Sequence, residues 1–229
     1  MRPRQSALVL LVIAAAALAG CQTKPPVVIE KLPVLSMNSC PPARPIEPPR
    51  RAEALPARPR TGGEFGWTPP TVARSWRWIV IHHSASDSGS AETFDRWHRA
   101  RGWDELGYHF VITNGRGGPD GLVQVGSRWT KQKQGAHTGG TPDNAYNECG
   151  IGICLVGDFS SSMPTGAQLA ALDRLVTFLA ARYDIDPSSH IIGHRDAPHA
   201  TTECPGNTME SYLGRTIRPR LFQQLAARH

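Results

Sequence analysis

The residues best suited to chemistry lie in the segment 190–206, HIIGHRDAPHATTECPG. A short apolar run leads to His194, and Cys204 follows ten residues later, directly before a Pro-Gly pair. An imidazole and a thiolate are ligands that suit a borderline-soft ion such as Zn²⁺. A second apolar run, residues 78–81, leads to His82. We predict that His82, His194 and Cys204 hold one Zn²⁺ and leave a fourth position open to water, which is the pattern of a catalytic zinc site.

Two consecutive histidines follow the second apolar run, but a strand can offer only one of them to the metal. Successive side chains on a strand point to opposite faces, so His82 and His83 point apart. By spacing alone, any single histidine is more often a core or surface residue hydrogen-bonded to the backbone than a metal ligand. Asp196, in the loop before Cys204, is the alternative third ligand in variants of this chemistry.

Strands alternate with helices along the part of the chain that must position these residues. The longest helix begins at a capping-box pattern, Thr165 with Gln168. The alternation predicts an α/β fold, a single domain with a central mixed β-sheet covered by helices. The predicted strands are 76–81, 108–113, 122–125, 151–156 and 190–194, and the predicted helices are 92–101, the one after Thr165, and 209–227.

The first predicted helix, 92–101, lies among charged residues. Its spacing places Phe94, Trp97 and Arg101 along one face. His98 falls among arginines, and we expect it to face solvent. His109 falls on the opposite face of its strand from Tyr108, so we expect a structural, hydrogen-bonded role for it.

The N-terminal residues 1–20 are predicted to be a signal peptide outside the folded domain. Two arginines precede a short apolar run that ends in Leu-Ala-Gly before Cys21. This pattern resembles the lipobox of bacterial lipoproteins, which predicts a lipid on Cys21. Gln22 is not the aspartate that favours inner-membrane retention in such proteins. We therefore expect a location in the cell envelope, anchored to the outer membrane and facing the periplasm.

Residues 21–66 are rich in proline and poor in aromatic side chains, and we predict a disordered tether. An ordered arm along the domain is the alternative for its last residues. The formal charge of the chain is +6, but residues 67–229 hold sixteen basic and fifteen acidic side chains, a balance of +1. A basic tether fits an anionic membrane or wall polymer better than nucleic acid, so we expect no nucleic-acid partner.

Four ordered blocks carry a family resemblance over about residues 76–213: IVIHHSAS, RWHRARGWDELGYHFVI, GAHTGG with NECGIGICLVGDF, and HIIGHRDAPHATTECPG. In this order they resemble the zinc-dependent N-acetylmuramoyl-L-alanine amidases, which share their fold with peptidoglycan recognition proteins and phage amidase lysozymes. The resemblance implies that His82, His194 and Cys204 are the zinc ligands. It also implies an active-site role for Tyr108 and places Thr202 near the reacting carbonyl.

The resemblance implies a hydrolase that cleaves the amide between N-acetylmuramic acid and L-alanine, in cell-wall turnover or recycling. Tyr108 would hydrogen-bond the water or the intermediate, and Thr202 would stabilise the oxyanion. His137 is expected to contact the substrate and is the histidine best placed to protonate the leaving amine. Asn147 is expected to line the groove for the peptide stem. The expected partners are peptidoglycan or muropeptides, with membrane contact through the lipid anchor only, for a monomeric chain.

Two other functions remain open at this point. A peptidoglycan-binding module without hydrolysis would share the fold, although receptors in the resembling family tend to lack the cysteine ligand. A zinc peptidase acting on the stem would use the same ion with a different pocket. Of the remaining cysteines, Cys149 and Cys154 would point to opposite faces and should not pair, whereas a disulfide from Cys40 to the domain is open.

Overall fold

The structure, a computed structural model, describes residues 66–227. The predicted signal peptide, the predicted lipidation site Cys21 and nearly all of the predicted tether lie outside these residues. One mixed sheet in the described part has the strand order β3-β2-β4-β1-β5. Its strands are β1 (Trp78–His83), β2 (Phe110–Ile112), β3 (Val123–Val125), β4 (Gly150–Leu155) and β5 (Ile191–Gly193). Only the β2–β3 pair is antiparallel.

Helices connect and cover these strands. They are α1 (Ala91–Ala100), α2 (Ser127–Thr130), α3 (Ala145–Glu148), α4 (Gly166–Tyr183), α5 (Pro187–His190), α6 (Asn207–Tyr212) and α7 (Arg218–Ala226). A π-helical turn, Leu213–Ile217, joins the last two. Within residues 66–227, the helices are too short or too polar for a membrane crossing.

The central strand β4 is buried along its whole length, as a parallel strand covered on both faces should be. Its alternate residues divide the core into two clusters. Ile151, Ile153 and Leu155 pack in the larger cluster with α4 and the C-terminal helices. Cys154 and Val156 belong to the smaller cluster, which α1 covers through Phe94. His82 pairs in register with Cys154 across the β1–β4 ladder.

The predicted α/β fold is confirmed, and the long helix begins where the capping box places it. The Thr165 side chain accepts the backbone N–H of Gln168, and the Gln168 side chain accepts that of Thr165, which closes the reciprocal cap. An apolar stripe of α4 faces the core: Leu172, Leu175, Val176 and Leu179 are fully buried, and Leu169 packs against them.

The expectation that His98 faces solvent is wrong. Trp97 is 45% exposed, whereas His98 is buried. His98 turns inward because its Nδ1 accepts the backbone N–H of Gly107 at 2.9 Å and its ring packs on Trp103. The amide of Gly107 therefore gains a partner that a solvent-facing histidine could not provide. The predicted terminal helix 209–227 is also divided, into α6, the π turn and α7.

Candidate metal centre

The predicted ligands meet at the carboxyl end of the parallel strands. In the β1–β5 ladder Ile81 pairs with Gly193, so the next residues, His82 and His194, stand side by side. The centroids of their rings lie 4.7 Å apart. The loop after β5 returns Cys204 to the same place just before α6. Open parallel sheets bind ligands at this edge, so the topology itself brings the three side chains together.

One ligand atom from each of His82, His194 and Cys204 lies within 4.8 Å of the other two. The Sγ of Cys204 is 3.7 Å from Nδ1 of His82. A tetrahedral zinc with Zn–S near 2.3 Å and Zn–N near 2.05 Å would separate the two donors by about 3.6 Å. The donor chemistry and the spacing therefore both fit zinc, with three protein ligands and one further position.

The environment of Cys204 makes its thiolate depend on a cation. Burial raises the pKa of the Cys204 thiol to about 12, against the opposing effects of the His83 backbone N–H and Arg195. That N–H donates to Sγ at 3.3 Å. A thiol with this pKa is protonated at neutral pH unless a bound metal stabilises the thiolate.

His82 is 1% exposed, and burial together with the neighbouring imidazoles lowers its pKa well below the usual range. Burial likewise lowers the pKa of His194. Both rings are therefore neutral at physiological pH, which is the state that coordinates a metal.

Tyr108 and Thr202 approach the same centre from different segments. The Tyr108 ring centroid lies 5.2 Å from that of His82. Burial, with smaller contributions from Cys154 and Cys204, raises the pKa of Tyr108 well above 10, so its hydroxyl keeps its proton. Thr202 accepts the backbone N–H of Cys204 at 3.1 Å through Oγ1, and this leaves its own hydroxyl proton to donate elsewhere.

His137 and Asn147, the predicted substrate contacts, lie behind His82 and are 7% and 6% exposed. Nδ1 of His137 is 3.2 Å from Nε2 of His82, and its Nε2 is 3.3 Å from the carbonyl oxygen of Gly150. The Asn147 side chain is bonded to the backbone of His137 and Thr138. The structure thus brings both residues to the site, while their contact with substrate stays a prediction.

The other polar residues weighed from the sequence point elsewhere. His83 faces away from His82, and its Nδ1 accepts the backbone N–H of Phe159 at 3.2 Å. His109 is a buried structural residue whose Nδ1 accepts the N–H of Gly152. The Oδ2 of Asp196 accepts the N–H of Gly193 and forms an ion pair with Arg218. These contacts engage the carboxylate that was the alternative to Cys204 as the third ligand.

Two glycines essential to this geometry were missed in the sequence. A Cβ added to Gly152, on β4, would collide with the His137 ring, and a Cβ on Gly135 would collide with the same ring. The signal was present, because a glycine inside a strand often marks a close approach by another group. The Gly-Ile-Gly of residues 150–152 interrupts an otherwise branched apolar strand.

The cysteines agree with the expectation that Cys149 and Cys154 do not pair. Cys154 and Cys204 are free thiols. Cys149 is disulfide-bonded, so neither of these two is its partner. Cys40, the candidate named from the sequence, lies outside the described residues.

Comparisons with known proteins agree with the fold. A family described as N-acetylmuramoyl-L-alanine amidase matches residues 72–207. The chain is 33% identical over 142 residues to Peptidoglycan recognition protein 1 of Bos indicus, covering 58% of this chain and 68% of that protein. It is 27% identical over 168 residues to the N-acetylmuramoyl-L-alanine amidase of Sus scrofa, covering 66% of this chain but 26% of that protein.

Among solved structures, the N-acetylmuramoyl-L-alanine amidase LysC from Clostridium intestinale URNW aligns with a TM-score of 0.52 at 27% identity. The alignment covers 66% of this chain and 86% of the other. The shared part is therefore nearly the whole of a smaller protein, which indicates that the described residues form the common domain.

Proposed function

Since the chain belongs to the N-acetylmuramoyl-L-alanine amidase family, whose match spans more than half of its length, we propose that it hydrolyses the amide between N-acetylmuramic acid and L-alanine in peptidoglycan. The observation that carries the proposal is the convergence of the ligand atoms of His82, His194 and Cys204 within 4.8 Å. A binding module would need no such set of donors.

These three residues would hold zinc. Zinc bound there would supply a Lewis acid and a hydroxide nucleophile near neutral pH. The buried neutral imidazole of His82 and the more accessible His194 would provide two neutral nitrogen donors, and Cys204 would provide a charged sulfur donor. Two neutral ligands and one thiolate would leave the site a net positive charge, which would favour the negative charge that develops on the amide oxygen.

Tyr108 and Thr202 act as hydrogen-bond donors around the reacting carbonyl. The raised pKa of Tyr108 excludes a tyrosinate at neutral pH, so the hydroxyl keeps its proton and can donate a hydrogen bond. The Thr202 oxygen accepts the N–H of Cys204, which leaves its hydroxyl proton to donate to the carbonyl. Donors placed in this way stabilise an oxyanion without reorganising during the reaction.

The cellular setting is proposed from the N-terminal sequence. A lipid on Cys21 and the proline-rich segment after it would hold a monomeric enzyme at the outer membrane, facing the periplasm and its peptidoglycan. The near balance of charge in residues 67–229 gives no support to nucleic-acid binding.

The test is to incubate the purified full-length protein with muropeptides and identify the products by mass. We expect whole stem peptides to be released, the release to stop with a chelator, and zinc to restore it. Cys204→Ala should abolish release, whereas His190→Ala, a histidine outside the metal cluster, should retain it. Release that persists with chelator and in Cys204→Ala would refute the zinc mechanism, and shorter peptide fragments would indicate a peptidase.

Binding without cleavage is the second candidate, because one relative is named a recognition protein. Retention of the wild-type protein on insoluble peptidoglycan, with no stem peptide released in the presence of zinc, would favour it. We expect retention and cleavage together.

A further inference from the structure

We propose that His137 is a positioning residue that orients the metal ligand His82 through a hydrogen bond between their rings, and that Asn147 fixes His137 in turn. The inference rests on the proposed function to the extent that it assigns His82 to a metal. It differs from the predicted role of both residues as substrate contacts.

The contacts of the His137 ring define its tautomer. Its Nε2 lies 3.3 Å from the carbonyl oxygen of Gly150, and a carbonyl can only accept. In the neutral ring the proton is therefore on Nε2, and Nδ1 is an acceptor. The Oγ1 of Thr138 lies 2.8 Å from Nδ1 and shares it with His82.

The tautomer of His137 in turn constrains the tautomer of His82. Nε2 of His82 lies 3.2 Å from the acceptor nitrogen of His137, and a hydrogen bond between the two rings requires the proton of the neutral His82 ring to be on Nε2. Nδ1 of His82 is then unprotonated, and this is the atom that lies 3.7 Å from Sγ of Cys204. The ring contact thus selects which nitrogen faces the metal. Outer partners of ligating histidines commonly perform this task.

The His137 ring is also held in a fixed position. Gly135 and Gly152 border a slot in which a Cβ at either glycine would collide with the ring. The backbone beneath it is held by Asn147, whose Oδ1 accepts the N–H groups of His137 and Thr138 at 2.8 and 2.9 Å. Its Nδ2 donates to the Thr138 carbonyl at 2.9 Å. Because both polar atoms of the Asn147 side chain form these hydrogen bonds, this side chain supports the loop.

The experiment compares two replacements of this residue in the full-length protein, His137→Asn and His137→Leu. Asparagine offers an amide oxygen near the former Nδ1, and leucine fills the same volume without an acceptor. Zinc affinity is measured by competition with a chromophoric chelator, and the cobalt-substituted protein is examined for its d–d and thiolate charge-transfer bands. We expect zinc binding to weaken about 10- to 100-fold in the leucine variant. The asparagine variant should recover at least part of this loss, and His190→Asn should match the wild type.

A second measurement does not depend on the variants. Nitrogen-15 spectra of the metal-free wild-type protein report the protonation of each ring nitrogen, and we expect His82 to carry its proton on Nε2. A proton on Nδ1 of His82 would overturn the inference. So would wild-type zinc affinity in the leucine variant combined with a raised KM, because that result would make His137 a substrate contact. Failure of the wild-type protein to bind zinc would instead refute the proposed function.

Discussion

The metal centre has two halves that are built differently. His82 belongs to the sheet half: it lies on β1 between two parallel neighbours, is 1% exposed, and has His137 behind it. His194 and Cys204 belong to the loop half, residues 194–206. There the backbone N–H of Arg195 donates to the Cys204 carbonyl at 2.7 Å, and the Arg195 side chain bonds Asn207 at 2.8 Å.

This difference indicates which of the proposed ligands the fold positions before a metal ion binds. The sheet half is fixed by ladder hydrogen bonds and core packing, so its geometry is formed by folding. The loop half is fixed by short-range bonds near the surface, which are weaker because water competes for them. We infer that metal binding contributes most of its ordering to the loop and little to the sheet.

The largest predicted effect comes from removing one ligand from each half, as His82→Ala and Cys204→Ala. Each should lower hydrolysis roughly a thousandfold or more, since a metal supplies several kcal/mol of transition-state stabilisation. The two variants should differ in the metal-free state. His82→Ala empties a buried position beside His137 and should cost about 1–3 kcal/mol of unfolding free energy.

Cys204→Ala removes one sulfur from the loop half and should cost at most about 1 kcal/mol. Release of stem peptide measures the first effect, and urea unfolding in the presence of chelator measures the second. Equal losses of stability in the two variants would contradict the division into halves.

Acid should act first on the sheet half, because it contains buried neutral imidazoles. Burial lowers the pKa of His109 to about 3 from an ordinary value of 6.5. Between these values the unfolded chain binds a proton that the folded protein does not, so stability is complete above pH 6.5 and falls as the pH falls toward 3. Between pH 6.5 and about 3, the loss of unfolding free energy from this group amounts to several kcal/mol, at about 1.4 kcal/mol per pKa unit.

The variant His109→Gln isolates this contribution. It keeps a donor toward the carbonyl of Lys133, which Nε2 of His109 contacts at 3.0 Å. We expect a shallower fall in unfolding free energy between pH 6.5 and 5 than in the wild type, with chelator present in both. Identical slopes would show that His109 does not carry the acid sensitivity.

A change to the slot behind His82 should have an intermediate effect. Gly152→Ala places a Cβ against the His137 ring, and overpacking of this kind costs about 1–3 kcal/mol. Zinc affinity should fall as well, because the displaced ring no longer orients His82. Gly139→Ala is the matched control, since a Cβ there meets nothing within 4 Å. If both variants unfolded alike and bound zinc alike, the slot would not position the ring.

The sequence was sufficient to predict which three side chains converge, His82, His194 and Cys204, and the main layers of the fold. His82 and His194 follow apolar runs that could only be strands, and Thr165 with Gln168 fixed the start of α4. The short helices α2, α3 and α5 were not predicted, because four-residue helices carry too little periodicity to be detected. The roles of His98 and His137 depend on single backbone partners, Gly107 and Gly150, that are distant in sequence or unmarked by it. Such contacts are set by tertiary packing.

The smallest predicted effect tests the loop half alone. Arg195→Ala removes the bonds of this side chain to Asn207 and Glu203, but not the backbone bond to Cys204. Glu203 is largely exposed, so unfolding free energy should change by less than about 1 kcal/mol. Zinc affinity should fall modestly, because the metal must then order a looser loop. Arg96→Ala breaks a more exposed ion pair, with Glu92 on α1, and should leave zinc affinity unchanged. A large loss of stability without any change in zinc affinity would mean that the loop is as fully formed before metal binding as the strand that carries His82.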